Sequence, residues 1–397
     1  MRKTTASFAT IGIAAALALS ACGSSSPSTT KSSGPTLTAA CNLSSPPTSG
    51  AQAPAASGAT GKATGKVGVI LPDTTSSTRY TLYDKPLLQK SLSAAGITPD
   101  IQNAGGSTSK FASIAQSMIG EGVKVLIIDS IDAPSGAGVE KQAAQAGVKV
   151  IDYDRVNLGG SAGYYVSFDN EDVGKLQAQT LVDCLAKSKV KKPNVIMMDG
   201  GKDVDNNAVL FAKGAHEVFD PLVQSGKLKI VSESVVKGWK VENAAPTFTQ
   251  ALTAAGGKVD AVLAANDDIA NAVVGVLKTS GLNGHAVVTG QDSGVEGLQN
   301  IVNGQQSMTI FKNVKLEADA AAKLAIALIQ GKDPASAGLK LTTFDDPQAA
   351  SHKIQALLLP SVVITQANID AVVKAGALTT AEICKNITPA CAKVGLK

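Results

Sequence analysis

Polar side chains gather at the ends of short apolar runs in this chain, and their types suit the holding of hydroxyl groups. Val69-Ile70-Leu71 leads into Asp73; Val150-Ile151 into Asp152, Asp154 and Arg155; and Val166 into Asp169 and Asn170. Val262-Leu263 leads into Asn266, Asp267 and Asp268; Val288 into Gln291 and Asp292; and Ile310-Phe311 into Lys312. Carboxylates, amides and guanidinium groups are planar and can grip two neighbouring hydroxyls at once. Trp239, the only Trp, follows Gly238 after another such run and offers a flat face on which the C–H groups of a polyhydroxylated ring can stack. Each Asp or Asn has about even odds of being merely a helix N-cap, which turns from strand to helix recruit routinely. Arg155 and Lys312 are different, because a cation sits badly at a helix start.

The apolar runs set the architecture. From Lys66, β-branched segments alternate with helix-period segments, the pattern of a parallel sheet covered on both faces. Strands are expected at 67–71, 98–102, 123–128, 148–153 and 164–168, and again at 194–198, 228–232, 261–265, 286–289 and 308–311. Helices fall between them, as at 170–186 and 206–219. The fold class is α/β, with two doubly wound parallel-sheet lobes. In such sheets ligands bind beyond the carboxyl ends of the strands, where the polar residues stand.

Cys22 marks the start of the mature chain. Arg2 and Lys3 precede an apolar run from Phe8 to Leu19 that ends in Leu19-Ser20-Ala21-Cys22. About 20 apolar residues are needed to span a bilayer, so this run is too short to be a span. It has the form of a bacterial lipoprotein signal over 1–21, with acylation of Cys22. Residues 22–65, rich in Ser, Thr and Pro, are expected to be a disordered linker of roughly 35–40 Å. The remaining cysteines, Cys41, Cys184, Cys384 and Cys391, form an even set. Cys384 with Cys391 is the favoured bridge; Cys41 and Cys184 pair or stay free, and Cys184 on an apolar helix face also reads as a buried thiol.

Composition narrows the function. The 397 residues carry a net charge of +4 with 17% charged residues and no basic block in the body, which argues against a nucleic-acid partner. The glycines of Gly61-Lys62-Ala63-Thr64-Gly65-Lys66 are too close for a phosphate loop, and Asp203-x-Asp205-x-Asn207 lacks the Gly and Glu of a calcium loop. No metal and no cofactor are expected. An enzyme would have to work through Asp152 with Asp154, or Asp267 with Asp268, and adjacent residues in extended chain face opposite ways. A repressor is disfavoured by the export signal.

Taken in order, Tyr153-Asp154-Arg155, Ser167-Phe168-Asp169-Asn170-Glu171, Val204-Asp205-Asn206-Asn207-Ala208, Gly238-Trp239, Asn266-Asp267, Gly290-Gln291-Asp292 and Met308-Thr309-Ile310-Phe311-Lys312 resemble the type I periplasmic sugar-binding proteins of ABC importers, over about 66–334. The resemblance implies a non-enzymatic, monomeric receptor for a monosaccharide, D-xylose first, serving an ABC permease from the outer face of the cytoplasmic membrane; the alternatives are a sugar sensor with a membrane signalling partner or a binding protein for another pentose or hexose. It puts the sugar contacts on Arg79, Arg155, Asp205, Asn207, Trp239, Asn266, Asp292 and Lys312, with Tyr80 where the family has a second stacking Trp. Thr74 to Thr78 depart from the family's more charged segment. The resemblance also implies three crossings between lobes, expected near Asp169, Asp292 and Thr342 to Asp345. The N-lobe is then 66–169 plus 293–341, and the C-lobe 170–292 plus the tail 342–397.

Overall fold

The computed structural model describes residues 41, 43, 46–49, 63–188, 190–349 and 351–396. The leader 1–21 and Cys22 lie outside the described residues. In the first lobe, β1 (Val67–Leu71), β2 (Asp100–Asn103), β3 (Val125–Ile128), β4 (Lys149–Tyr153) and β5 (Tyr164–Phe168) form a parallel sheet. In the second lobe, β6 (Asn194–Asp199), β7 (Lys229–Val235), β8 (Ala261–Ala264) and β9 (Val287–Val288) are parallel in the order β7-β6-β8-β9. Beyond β9, an isolated parallel bridge from Gln291 to Ile310 sets β10 (Thr309–Lys312) beside that sheet.

Strands buried on both faces explain the near-continuous apolar runs. In β1, Val69 and Leu71 pack under the helices Lys85–Ala94 and Val314–Ile329, while Ile70 turns to the opposite face with Phe111 and Met118. The second lobe repeats the plan. Its helices Asn170–Lys187 and Asn206–Gln224 lie so close that a Cβ on Gly174 would stand 2.0 Å from the Phe211 carbonyl oxygen, and one on Gly214 2.0 Å from that of Glu171. These two glycines set the helix spacing. Buried Gln177 on the first of these helices donates to the carbonyls of Ala264, Ala265 and Gly290, fixing the helix against the strand ends that carry the polar residues.

The described residues change lobe at Asp169, at Asn313 and at Pro360, which corrects two of the three expected crossings. After Asp292 the chain stays in the second lobe: the helix Val295–Val302 buries Leu298 and Ile301 there, and Met308 and Ile310 join its main core. The helix Val314–Ile329 then covers the first sheet. Thr342 to Asp345, expected as a crossing into the second lobe, form strand β11 (Thr342–Asp345), antiparallel to β12 (Lys353–Leu359), which pairs in parallel with β5. The first sheet thus has seven strands, in the order β11-β12-β5-β4-β3-β1-β2. Only β13 (Ser361–Ile364) and the tail return to the second lobe, β13 pairing antiparallel with β10.

The 22–65 segment is corrected in part. Cys41 is bonded to Cys184, Leu43 packs into the second-lobe core, and Thr48 pairs with Val362 on β13. The covalent bond ties Cys41 to the second lobe. Cys384 and Cys391 form the favoured bridge, in a tail that packs on Leu298 and Ile301, and Cys184 is not a free thiol.

Gly174→Val should force the two helices apart and cost about 1–3 kcal/mol by overpacking. A urea midpoint measurement checks this, and an unchanged midpoint would mean that the helix contact is not tight.

Candidate functional site

The expected residues converge. Arg79 and Tyr80 follow β1 and Arg155 follows β4 on the first lobe, while Asp205, Asn207, Trp239, Asn266 and Asp292 follow the strands of the second and Lys312 ends β10. All nine line one narrow cleft of about 20 Å³. Ser76, Ser77, Asp154, Phe211 and Gln291 line it too. Asp154 and Gln291 stand at strand ends; Phe211 was detectable as the residue one helical turn after Asn207, on the same face. The two serines lie in the hydroxyl-rich loop and carry no spacing signal of their own.

The N-cap reading is correct as well for several of these groups. Asp205 Oδ1 accepts from the Asn207 amide, and Asn266 Oδ1 from that of Ile269. Capping uses one oxygen and leaves the rest of the side chain to face the cleft. Asp205 Oδ2 accepts from Trp239 Nε1 at 3.0 Å and lies 3.3 Å from Arg155 Nε; Asn266 Nδ2 donates to the Ser76 carbonyl at 3.2 Å. A single residue therefore starts a helix and serves the site.

A buried charge network organises the first-lobe wall. Arg79 donates from Nε and Nη2 to the two oxygens of Asp84 (2.9 and 2.7 Å), from Nη2 to Glu317 Oε2 (2.6 Å) and from Nη1 to Asp154 Oδ1 (2.8 Å). A guanidinium has five N–H donors, so one remains for the cleft. Arg79 thus acts mainly as the holder of Asp154. Neither Asp84 nor Glu317 was singled out from the sequence, although Glu317 shares the apolar stripe of Val314, Ala318 and Ala321, where a carboxyl must find a partner. Asp84 also accepts from the Tyr153 hydroxyl at 2.7 Å.

The electrostatics follow from burial and neighbours. Burial alone would raise Asp154, but Arg79, Lys312 and Arg155 outweigh it and bring its carboxyl down to about 2. Burial dominates at Glu317 and pushes it up to about 8 against the pull of Arg79. Asp205 is raised by burial despite Arg155. Asp154 is the anion that the cations of the cleft share.

The lobes meet through these groups. Lys312 Nζ lies 3.7 Å from Asp154 and 3.4 Å from Asp292, above the rings of Phe168 and Phe211. Asn207 Nδ2 donates to the Asp154 carbonyl at 2.8 Å, Ser77 Oγ to Asp292 Oδ2 at 2.8 Å, and the Thr78 amide to Asp268 at 3.2 Å. Arg155 Nη2 donates to the Tyr80 hydroxyl at 3.1 Å, so this tyrosine also fixes a cation.

Trp239 is both core and cleft wall. One side packs on Gly200 and Gly201, where any Cβ would clash with the indole, and its edge meets Phe211 at 6.4 Å and 73°. Trp239, Asp154 and Asp292 all have positive φ, at 57°, 60° and 89°. Such backbone costs of order 1–3 kcal/mol per non-glycine residue and persists only where the surroundings enforce it. Asp267 enforces the turn at Asp292: it accepts from the Gly294 amide, Thr309 Oγ1 and Gln306 Nε2. That use, and the capture of Asp152 by both Asn157 nitrogens, leaves neither candidate carboxylate pair as an acid and base on one substrate.

A family model for the periplasmic binding protein domain matches residues 67–333. The D-xylose-binding periplasmic protein of Escherichia coli is 39% identical over 251 residues, 63% of this chain and 74% of that one. The protein of the same description from Haemophilus influenzae is 35% identical over 294 residues, 74% of this chain and 85% of that one. An ABC transporter solute binding protein from Clostridium phytofermentans with bound β-D-glucose superposes with a TM-score of 0.73 at 30% identity, covering 80% of this chain and 99% of its own. The chain belongs to the periplasmic binding protein domain family, with the type I two-lobe fold, and is a binding protein and not an enzyme.

Proposed function

We propose that the cleft captures a monosaccharide, D-xylose first among them, and that the protein delivers it to an ABC permease. In this reading the chain is exported and held at the outer face of the cytoplasmic membrane by lipid on Cys22. The observation that carries it is the convergence of hydroxyl-binding groups from both lobes on one cleft beside Trp239. Sugar hydroxyls would donate to Asp154, Asp205 and Asp292 and accept from Asn207, Asn266, Arg155 and Lys312, with the ring on the indole. The names of the two D-xylose-binding relatives support the pentose; the glucose-bound neighbour supports a hexose as the alternative.

Closure follows from the placement of the groups. A ligand that touches both lobes binds the closed form better than the open one and shifts the population by that difference. A partner able to recognise the closed surface then distinguishes loaded from unloaded protein.

As the only Trp, Trp239 gives a direct readout. Titrating the full chain with D-xylose, L-arabinose, D-ribose, D-glucose and D-galactose should produce a saturable change in its fluorescence for at least one sugar. Trp239→Ala should weaken that affinity, measured calorimetrically, by about tenfold or more (1.4 kcal/mol) with the fold retained. Silence from all five sugars would overturn the proposal, and unfolding of Trp239→Ala would show that its core role dominates.

Glu317 gives a pH test with a defined sign. Its carboxyl is normally half-titrated near 4.5, and in the folded protein near 8, so the folded state holds the proton longer. Its contribution to stability is therefore lost as pH rises from about 4.5 to about 8 and changes no further above that. Ionised Glu317 competes with Asp154 for Arg79, so sugar affinity should fall between pH 7 and 9. Glu317→Gln should keep the affinity of pH 7 and remove this fall; a variant as weak as Glu317→Leu at every pH would refute the assignment.

A further inference from the structure

We infer that Ser77 is a specificity-determining residue: its hydroxyl sits on Asp292 where a ligand hydroxyl would otherwise bind, and so sets how long a sugar the cleft admits. The inference rests on the sugar-binding reading above and extends it to the choice among sugars. Four strand ends of the second lobe line the cleft in the order of their sheet: Trp239 after β7, Asp205 after β6, Asn266 after β8 and Asp292 after β9. That order gives the cleft a length. At the β7 end the indole is wedged against Gly200 and Gly201, where a Cβ would stand 2.1 and 2.8 Å from it, so this end cannot give.

At the other end the loop after β1 covers the wall. Ser77 Oγ donates to Asp292 Oδ2 at 2.8 Å, the Ser76 carbonyl accepts from Asn266 Nδ2 at 3.2 Å, and the Thr78 amide donates to Asp268 at 3.2 Å. Three consecutive residues thus reach the second lobe. Asp292 Oδ1, 3.4 Å from Lys312 Nζ, accepts no hydrogen bond from the described residues and is the oxygen left for a ligand. A serine hydroxyl and a sugar hydroxyl are the same kind of donor to a carboxylate, so the two compete for Oδ2. The loop is also tied to its own lobe: Asp73 Oδ1 accepts from the Thr75 and Ser76 amides, Asp73 Oδ2 from Ser76 Oγ, and the Asp73 carbonyl from Asn103 Nδ2, each at 2.7 Å. It cannot retreat without breaking those bonds. Ser77 therefore holds its place, and a ligand ends where it stands.

D-xylose and D-glucose isolate the effect, because they differ only by a hydroxymethyl group in place of hydrogen on one ring carbon. The test is calorimetric titration of the full chain, Ser77→Gly and Ser77→Thr with both sugars. Its readout is the ratio of glucose affinity to xylose affinity, which cancels any change in stability or lobe closure that both sugars share. Ser77→Gly removes the hydroxyl and its carbon and should raise the ratio about tenfold, the low end for one carbon's worth of room in a pocket. Ser77→Thr keeps the hydroxyl, adds a methyl group and should lower the ratio. If the glycine variant does not fold, Ser77→Ala should raise the ratio by a smaller factor. An equal ratio in parent and variants would overturn the inference and leave the sugar-binding reading standing. Binding of neither sugar would also overturn it, and silence from all five sugars would remove the reading on which it rests.

Discussion

The structure depends on a carboxylate kept ionised where solvent cannot reach it. Asp154 has the left-handed backbone of a tight turn at the end of β4 and faces Arg79, Lys312 and Arg155. A lone charge in that position would be expelled or neutralised. Its partners come from separate parts of the chain: Arg79 from the loop after β1, and Lys312 from the last residue of β10, one residue before the chain crosses between lobes. Arg79 and Arg155 hold the anion from its own lobe, and Lys312 reaches it from the other. The helix starting at Val314, which supplies Glu317, covers the first sheet just after that crossing and holds Arg79 from behind. A change at the hinge is thereby transmitted directly to the charges of the cleft.

Neutral ligands suit such a site. Its cations and anions largely compensate one another across the cleft, as in Arg155 with Asp205 and Lys312 with Asp292, so it offers local dipoles in place of a net field. A hydroxyl can insert between such partners as donor to one and acceptor to the other, whereas a charged ligand would leave one sign unmatched. The hydroxyl loop after Asp73 works on the same scale: Ser77 occupies one oxygen of Asp292, and the Ser76 carbonyl occupies Asn266. These two residues decide how much of the second-lobe wall a ligand meets.

Much of this was legible in the sequence because parallel strands end where ligands bind, and apolar runs show where strands end. Arg155 and Lys312 stood out since no structural habit puts a cation at those turns. What the sequence hid was long-range. Asp84 and Glu317 lie in helical segments whose pattern says only that they are near a core, and their common partner Arg79 is 238 positions from Glu317. The resemblance implies a crossing near Asp292, but the following Met308-Thr309-Ile310 run fills one more strand position beside β9, bridged through Gln291, before the chain crosses at Asn313. β11 and β12 escaped for a related reason, since the chain beyond residue 334 resembles nothing that could fix their register. The placement of Cys41, Leu43 and Thr48 against the second lobe comes from one covalent bond, to which composition is blind.

The most direct test of the account is titration calorimetry of the full chain and of Asp154→Asn with D-xylose. The amide keeps the shape of the carboxylate and removes the charge that Arg79, Lys312 and Arg155 share. The account predicts one-to-one binding by the parent and, in the variant, a loss of at least about 2 kcal/mol, roughly thirtyfold or more, the scale for truncating a buried charged partner. Equal affinity in the two proteins would show that the shared anion is not what the cleft is built around.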